Sequence, residues 1–298
     1  MTTSSAFDEY VARVSAGERL RAAEIHDLAG TPDILQLGAL ADTLRRRLHG
    51  TRVTFLRVAS CPFDRSLADA VSPSAREVRL TGAPDSLAVA ASAVATARSV
   101  AGARTVSAFT WLDAERLASG DGGGIARVLR ELRAAGLDAL AEIPLDGGDA
   151  SSAVERLAAA GFDRLRLSIH KAPSSGRAAL LLHAAELQDR FGCIQSLNPL
   201  PLALDAFRPT TGYEDVKMVA IGRLAAPNIP NVQVDWARYG PKLAQVALTF
   251  GADDLYGVSA SAEAPEGRRR APLEEVRRNI EAAGFQPVER NGAFAAVS

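Results

Sequence analysis

The chain has 298 residues with 35 acidic and 34 basic side chains, so we expect no global attraction to nucleic acid or to an anionic membrane. A hydrophobic fraction of 47% with 23% charged residues excludes wholesale disorder and can build a large core without disulfides. The first ten residues lack a basic segment followed by an apolar one, and no run of about 20 apolar residues occurs. We therefore predict a cytoplasmic protein with neither a membrane partner nor a nucleic-acid partner.

Two helices are predicted before the first strand, over Glu18–Leu28 and Ile34–Leu48, with Thr31-Pro32-Asp33 as the stop and restart between them. In the second helix Leu37, Leu40, Leu44 and Leu48 recur at steps of three and four and form one apolar stripe. These helices make up an N-terminal segment of about residues 16–50.

From residue 51 onward, short β-rich runs alternate with amphipathic helical patterns. The strands are predicted over Val53–Val58, Glu77–Leu80, Thr105–Phe109, Ala139–Ile143, Arg164–Ile169, Ile194–Leu197 and Val232–Trp236. The helices are predicted over Ser86–Arg98, Ile125–Ala135, Ser152–Ala160, Arg177–Phe191, Tyr213–Ala226 and Pro241–Phe250. This alternation predicts an α/β fold, a (β/α) TIM-type barrel over about residues 51–258, complete or imperfectly closed.

The C-terminal extension, about residues 259–298, does not continue the alternation of strands and helices. Ala262–Arg270 is polar and predicts a surface loop, and Pro272–Ala283 predicts a helix. Gln286–Arg290 and Ala293–Val297 predict a terminal hairpin turned by Asn291-Gly292. Because neither an internal repeat nor a clear linker occurs, residues 1–298 are predicted to form one domain.

The chain contains two cysteines, Cys61 and Cys193, far apart in sequence. A four-iron cluster needs at least three closely placed thiolates, and a structural zinc site needs several Cys or His ligands at short spacing. The four histidines do not supply such spacing either. We therefore predict no metal site and interpret both cysteines as buried or incidental thiols.

Several stretches resemble the aminofutalosine synthase family, radical S-adenosylmethionine enzymes of the futalosine route to menaquinone. The matches are Ala16–Leu20, Leu37–Gly50 and Val128–Ile143, the register from His170 through Arg177 and Glu186–Asp189 to Gln195, then Asn228–Trp236, Gly240–Leu255 and Val288–Arg290. They cover roughly two-thirds of the chain, and the last long block is the most specific. The resemblance implies a radical-SAM-like barrel and a link to menaquinone biosynthesis.

The departures from that family fall on the positions that serve its cluster and cofactor. Members carry a Cys-x-x-x-Cys-x-x-Cys loop after the first strand, whereas here Val53–Val58 runs into a segment whose only cysteine is Cys61. Gly82-Ala83-Pro84-Asp85 stands where the family has a Gly-Gly motif, and the connection to the second strand looks shortened. Because one thiolate cannot hold the metal centre, the iron-sulfur cluster and S-adenosylmethionine cleavage are predicted absent, with no other cofactor.

Candidate site residues follow from strand-end positions and from family register. Glu142 lies at the C-terminal end of one predicted strand and His170 directly after another, where barrel enzymes place their chemistry, and the Asp253-Asp254 pair matches the family block. These four residues are catalytic candidates. Their alternative interpretations are a structural salt bridge for Glu142, a core or rim histidine for His170 and a turn cap for the Asp253-Asp254 pair. The substrate-binding candidates are Gln195, Asn198, Arg223, Lys242 and Tyr256, of which Tyr256 replaces an acid that the resemblance leads us to expect.

Two hypotheses of different classes remain. In the first, the chain is a catalytically degenerate relative that binds a small-molecule ligand of the futalosine pathway, or a cysteine-complete paralogue. In the second, it is a non-radical enzyme acting on a related aromatic, enolpyruvyl or nucleoside substrate through the four catalytic candidates. The retained family block together with the missing cluster loop favours the first hypothesis.

Overall fold

Eight parallel strands close into a barrel in the computed structural model, which describes residues 4–67, 71–203, 210–264 and 269–297. The strands are β1 (Arg52–Pro62), β2 (Glu77–Thr81), β3 (Thr105–Thr110), β4 (Ala139–Pro144), β5 (Leu165–Ile169), β6 (Ile194–Pro201), β7 (Asn231–Asp235) and β8 (Asp254–Ser259). Each pairs with the next, and β1 pairs with both β8 and β2, which completes the ring. The predicted TIM-type barrel is confirmed, and it is closed.

Helices cover the outside of the barrel and precede its first strand. They are α1 (Ser4–Ala16), α2 (Ala22–Gly30), α3 (Ile34–His49), α4 (Leu87–Ala101), α5 (Trp111–Asp121), α6 (Gly124–Ala134), α7 (Ala150–Ala159), α8 (Ser174–Phe191), α9 (Gly212–Ala225), α10 (Trp236–Leu248) and α11 (Pro272–Ala282). Helix α3 begins where Asp33 suggests, because the Asp33 carboxylate accepts a hydrogen bond from the Gln36 N–H at 3.0 Å. Helices α1 and α5 and strand β8 were not predicted. In the described residues 63–67 and 71–76, the β1–β2 connection has no helix, in line with its shortened sequence.

A ninth strand fills a gap that the short β2 leaves. Strand β2 pairs with β1 only from Val58 onward, so the first half of β1 has a free edge. Strand β9 (Gln286–Glu289) pairs in parallel with Arg52–Phe55 along that edge. The predicted terminal hairpin forms in part: Arg290 and Ala296 make one antiparallel bridge and the Val297 N–H donates to the Glu289 carbonyl at 2.8 Å, whereas the extended pairing of β9 is with β1.

The apolar core lies between the barrel strands and the surrounding helices. One continuous cluster joins side chains of the N-terminal helices with those of the barrel and its outer helices. Inside the barrel, by contrast, Leu56, Val58 and Tyr256 form a separate small apolar cluster. Buried charged side chains occupy the interior beside them, which sets the site described below. No helix in the described ranges has the length and apolar character to cross a membrane.

Residues after β9 seal the amino-terminal end of the barrel. The Gly292 carbonyl accepts a hydrogen bond from Arg166 of β5 at 3.3 Å. A Cβ on Gly292 would lie 2.4 Å from the Thr105 Cβ, so only glycine allows this approach. The Phe294 ring lies 3.9 Å from the Arg290 guanidinium carbon. We call residues 290–297 the C-terminal plug. Within the predicted surface loop, Ala262–Arg270, residues 265–268 lie outside the described residues.

Candidate functional site

A cavity of about 410 Å³ opens at the carboxyl-terminal rim of the barrel, where enzymes of this architecture place their sites. We call it the mouth cavity. Strands β1 to β4, the segments that follow them and α10 supply its lining: Ser60, Arg79, Leu80, Thr81, Gly82, Ala83, Phe109, Thr110, Asp113, Ala141, Glu142 and Arg238. Phe109 has φ of 52°, a conformation unusual for a phenylalanine, and such strain concentrates at functional sites.

Arg79 and Glu142 form the charged floor of this cavity. The Arg79 guanidinium donates to Glu142 Oε1 at 3.1 Å and to the Tyr256 hydroxyl at 2.7 Å. Both side chains are largely buried, with 13% of Arg79 and 18% of Glu142 exposed. Burial raises the pKa of Tyr256, so its hydroxyl stays neutral and also donates to Glu77 at 3.1 Å. The predicted binding residue Tyr256 therefore supports the floor from below.

Beneath the floor lies a fully buried ion pair. Arg166 donates to both carboxylate oxygens of Glu77, at 2.8 and 2.6 Å, and Ser107 donates to Glu77 at 2.7 Å. Burial would raise the pKa of Glu77, but the Arg166 guanidinium and these donors outweigh it and lower the pKa to about 2. The interior below the mouth cavity is thus filled with paired charges, so the cavity is shallow and its floor is polar.

The predicted residues Asp253, Asp254, Gln195 and Arg223 lie at the opposite, amino-terminal end. Asp253 pairs with Arg223, and the Gln195 amide donates to Asn231 at 3.0 Å beside them. Asp254 accepts two hydrogen bonds from Arg290, at 2.5 and 2.7 Å. These charges are buried, and they lie at the opposite end of the barrel from Glu142. The structure does not bring the two aspartates together with Glu142, because β8 begins at Asp254 and its start points away from the mouth.

His170, Asn198 and Lys242 lie outside the mouth cavity lining. His170 follows β5, and its backbone N–H donates to Asp146 together with those of Lys171 and Ala172, at 2.5, 2.7 and 2.7 Å. Burial raises the pKa of Asp146, but these donors outweigh it and lower the pKa. The Asn198 side chain accepts a hydrogen bond from the Leu200 N–H at 3.1 Å. Lys242 is exposed on α10.

Sequence reasoning missed the two arginines of the mouth cavity, Arg79 and Arg238. A usable signal existed for Arg79. In β2, polar Glu77, Arg79 and Thr81 alternate with apolar Val78 and Leu80, although a strand of a helix-covered barrel usually reads as a continuous apolar run. The alternation therefore marks a polar barrel interior. For Arg238 the signal was weaker, namely a basic residue shortly after the end of β7.

The two cysteines lie at opposite rims of the barrel. Cys61 is the second-last residue of β1, and Cys193 precedes the first residue of β6. The neighbour of Cys61, Ser60, lines the mouth cavity, while Cys61 itself is 2% exposed and packs in the cluster between strands and helices. Burial raises the pKa of the Cys61 thiol, which disfavours a thiolate. Within the described ranges, no group of three or more His, Cys, Asp or Glu side chains is placed to hold a metal ion.

Comparison with known proteins gives matches in sequence and in fold. The family described as the CofH/MqnC C-terminal region matches residues 203–297. A 5-amino-6-(D-ribitylamino)uracil–L-tyrosine 4-hydroxyphenyl transferase of Archaeoglobus fulgidus is 38% identical over 127 residues, which are 38% of this chain and 37% of that protein. An aminodeoxyfutalosine synthase of Streptomyces coelicolor is 32% identical over 135 residues, 38% of this chain and 35% of that protein. The chain thus matches little more than a third of the length of these relatives.

Solved structures agree on the barrel. Methylornithine synthase matches with a TM-score of 0.67 at 14% identity, over 93% of this chain and 97% of that one. The hydrogenase maturase HydG matches with a TM-score of 0.66 at 14% identity, over 98% of this chain and 77% of that one. At such identity these likenesses concern the fold alone. The sequence matches confirm the predicted resemblance: the chain is similar to the CofH/MqnC C-terminal region and to aminodeoxyfutalosine synthases.

Proposed function

We propose that the chain binds a small metabolite in its mouth cavity and does not cleave S-adenosylmethionine. The metabolite belongs, in this proposal, to the futalosine route to menaquinone, where the resemblance points. The observation that carries the proposal is the exchange of groups at the rim. Where the family places cluster thiolates after the first strand, this chain has a cavity lined by Arg79, Arg238 and Glu142, with Cys61 turned towards the helices.

The residues present do not fit a four-iron cluster. Such a cluster needs at least three thiolates near one another, and this chain has two cysteines on opposite rims. Burial also favours the protonated thiol of Cys61, so this cysteine is not suited to act as even a single cluster ligand at the mouth. We therefore derive no step through a cluster.

A non-radical enzyme is the second class of function considered for this barrel. It would require Glu142, His170 and the Asp253-Asp254 pair to act on one substrate. Of these four residues, only Glu142 lines the mouth cavity, and its carboxylate already pairs with Arg79. This separation favours binding over catalysis by that set.

Cluster reconstitution tests the loss of radical chemistry. The chain and a cysteine-complete aminodeoxyfutalosine synthase are treated in parallel with iron and sulfide under anaerobic conditions, then reduced and given S-adenosylmethionine. We expect the synthase to turn brown and release 5′-deoxyadenosine, and this chain to stay colourless and release none. Production of 5′-deoxyadenosine by this polypeptide alone would overturn the proposal.

Thermal shift tests the binding half of the proposal. A ligand at 100 times its Kd stabilises the folded state by about 2.7 kcal/mol, which raises Tm by several degrees in a chain of this size. We expect such a rise with aminofutalosine, which carries one carboxylate, and none with adenosine alone. If aminofutalosine does not shift Tm, while a cysteine-complete paralogue co-purifies with the chain, metabolite binding is wrong and a scaffold role replaces it.

A further inference from the structure

Arg238 differs from the other charged groups of the mouth cavity because its side chain has no hydrogen-bond partner among the described residues. Arg79 is held by Tyr256 and Glu142. By contrast, the Arg238 guanidinium donates no hydrogen bond to any described residue, and its approach to a carboxylate is 4.0 Å, to Glu142 Oε1. The Arg238 side chain is 31% exposed and lines the cavity. An uncommitted guanidinium therefore faces a cavity of ligand size.

The backbone that carries Arg238 is fixed on both sides. Asp235 caps the turn by accepting a hydrogen bond from the Arg238 N–H at 3.0 Å, and Trp236 is buried. The Tyr239 hydroxyl donates to the Pro201 carbonyl at 2.5 Å. Gly240, with φ of 76° and ψ of 166°, then breaks the helix and separates this turn from the rest of α10. Because the turn is anchored, a ligand would have to order only the Arg238 side chain, which keeps the entropic cost of binding low.

Glu142 does not need Arg238 as a counter-ion. Its Oε1 atom already accepts the Arg79 hydrogen bond at 3.1 Å, whereas Arg238 stays 4.0 Å away. Moving Arg238 towards a ligand would thus leave no buried carboxylate unpaired. The same Glu142 carboxylate, together with Asp113 across the lining, opposes a second negative charge in the cavity.

We infer that Arg238 binds the anionic group of the ligand and that this ligand is a small monocarboxylic acid. This inference rests on the proposed function, because it names the ligand class of the same cavity. The planar guanidinium matches a carboxylate with two parallel hydrogen bonds. Glu142 and Asp113 disfavour a phosphate dianion, and the nearly buried Phe109, Leu80 and Ala141 leave only a small apolar part of the lining, beside the exposed Ala83, for the body of the ligand.

Ligand-observed NMR titration with benzoate tests the inference, with benzamide as the neutral isostere and phenyl phosphate as the dianion. We expect wild-type protein to bind benzoate more tightly than either analogue. Arg238→Gln should weaken benzoate binding about tenfold or more and leave benzamide binding unchanged, so that the preference disappears. The benzoate affinity of Arg238→Lys should lie between those of wild type and Arg238→Gln, since an ammonium keeps the positive charge but cannot donate two parallel hydrogen bonds to one carboxylate. Arg130→Gln, an exposed arginine on α6, is the matched control and should bind like wild type.

Two outcomes would overturn the inference. One is wild-type protein that binds no benzoate at millimolar concentration or prefers phenyl phosphate. The other is an Arg238→Gln variant, folded with unchanged Tm, that keeps the full preference for benzoate over benzamide. Neither outcome depends on the cluster assay. If the chain releases 5′-deoxyadenosine but benzoate binding still requires Arg238, the proposed function fails and the assignment of Arg238 stands.

Discussion

The two ends of the barrel use the same residue types for opposite purposes. At the amino-terminal end, Asp254 and Arg290 are buried and make two hydrogen bonds to each other, and the C-terminal plug covers them. At the carboxyl-terminal mouth, Arg238 and Glu142 are part-exposed and 4.0 Å apart. A charge pair that is buried and fully hydrogen-bonded can be removed only at a large cost, whereas a loose pair can exchange partners. We therefore assign stability to the amino-terminal end and propose ligand binding at the mouth.

Arg290→Met should produce the largest effect, because it leaves the Asp254 carboxylate buried without its counter-ion. We expect a loss of about 3–5 kcal/mol in the free energy of unfolding, measured by urea titration. The control Arg130→Met alters an exposed arginine and should stay within about 0.5 kcal/mol of wild type. A loss below about 1 kcal/mol at Arg290 would contradict the assignment of stability to this end.

Acid should break the buried Glu77–Arg166 pair next. Because the pKa of Glu77 is about 2 in the folded chain against an ordinary 4.5, its stabilisation is complete above pH 4.5 and is lost as the pH falls through about 2. This pair alone accounts for a loss on the order of 3 kcal/mol. Asp254 adds to the fall in the same direction, since its paired carboxyl also has a lowered pKa.

Urea titrations between pH 7 and pH 2 measure this loss. The variant Glu77→Gln, compared with its own stability at pH 7, should lose less than wild type over the same range. Equal losses in the two proteins would show that Glu77 does not titrate with unfolding.

Glu142→Gln should have the smallest effect on stability and an effect of opposite sign on binding. We expect a change of about 1–2 kcal/mol in the free energy of unfolding, because the Tyr256 hydroxyl still accepts from Arg79. Benzoate affinity should rise about two- to fivefold, since a competing carboxylate has gone. NMR titration beside a thermal scan measures both. Weaker benzoate binding in this variant would show that Glu142 contributes to the ligand site instead of competing with it.

Local sequence patterns predicted most strands and helices of the barrel, and they failed where an element is stabilised by a residue far away in the sequence. Strands β2, β3 and β4 begin at the predicted residues, because β-rich patterns bounded by turn signals are local. Strand β8 was missed because it starts with Asp254, an unfavourable residue for a buried strand until Arg290, 36 residues later, neutralises it. The pairing of β9 with β1 was missed for a similar reason: the free edge of β1 lies more than 200 residues before β9.

The candidate site divides in the same way. Glu142 was a candidate because it lies near the C-terminal end of a predicted strand, and the structure places it in the lining of the mouth cavity. The two arginines around it were not found, since the pairing of Arg79 with Glu142 spans 63 residues and that of Arg238 with Glu142 depends on how β7 lies across the barrel. For His170, Asp253 and Asp254, neither a strand-end position nor a match to the family could predict at which end of the barrel the side chain lies or whether it lines the mouth cavity.

The amino-acid sequence by itself determined the alternation of strands and helices, the similarity to aminodeoxyfutalosine synthases and the presence of two cysteines only. Tertiary structure alone decided which charges are sealed at the amino-terminal end and which remain available at the mouth. The physical reason is that periodicity and composition act over a few neighbouring residues. The free energy of a buried charge, in contrast, depends on partners that only the closed barrel brings within hydrogen-bond distance.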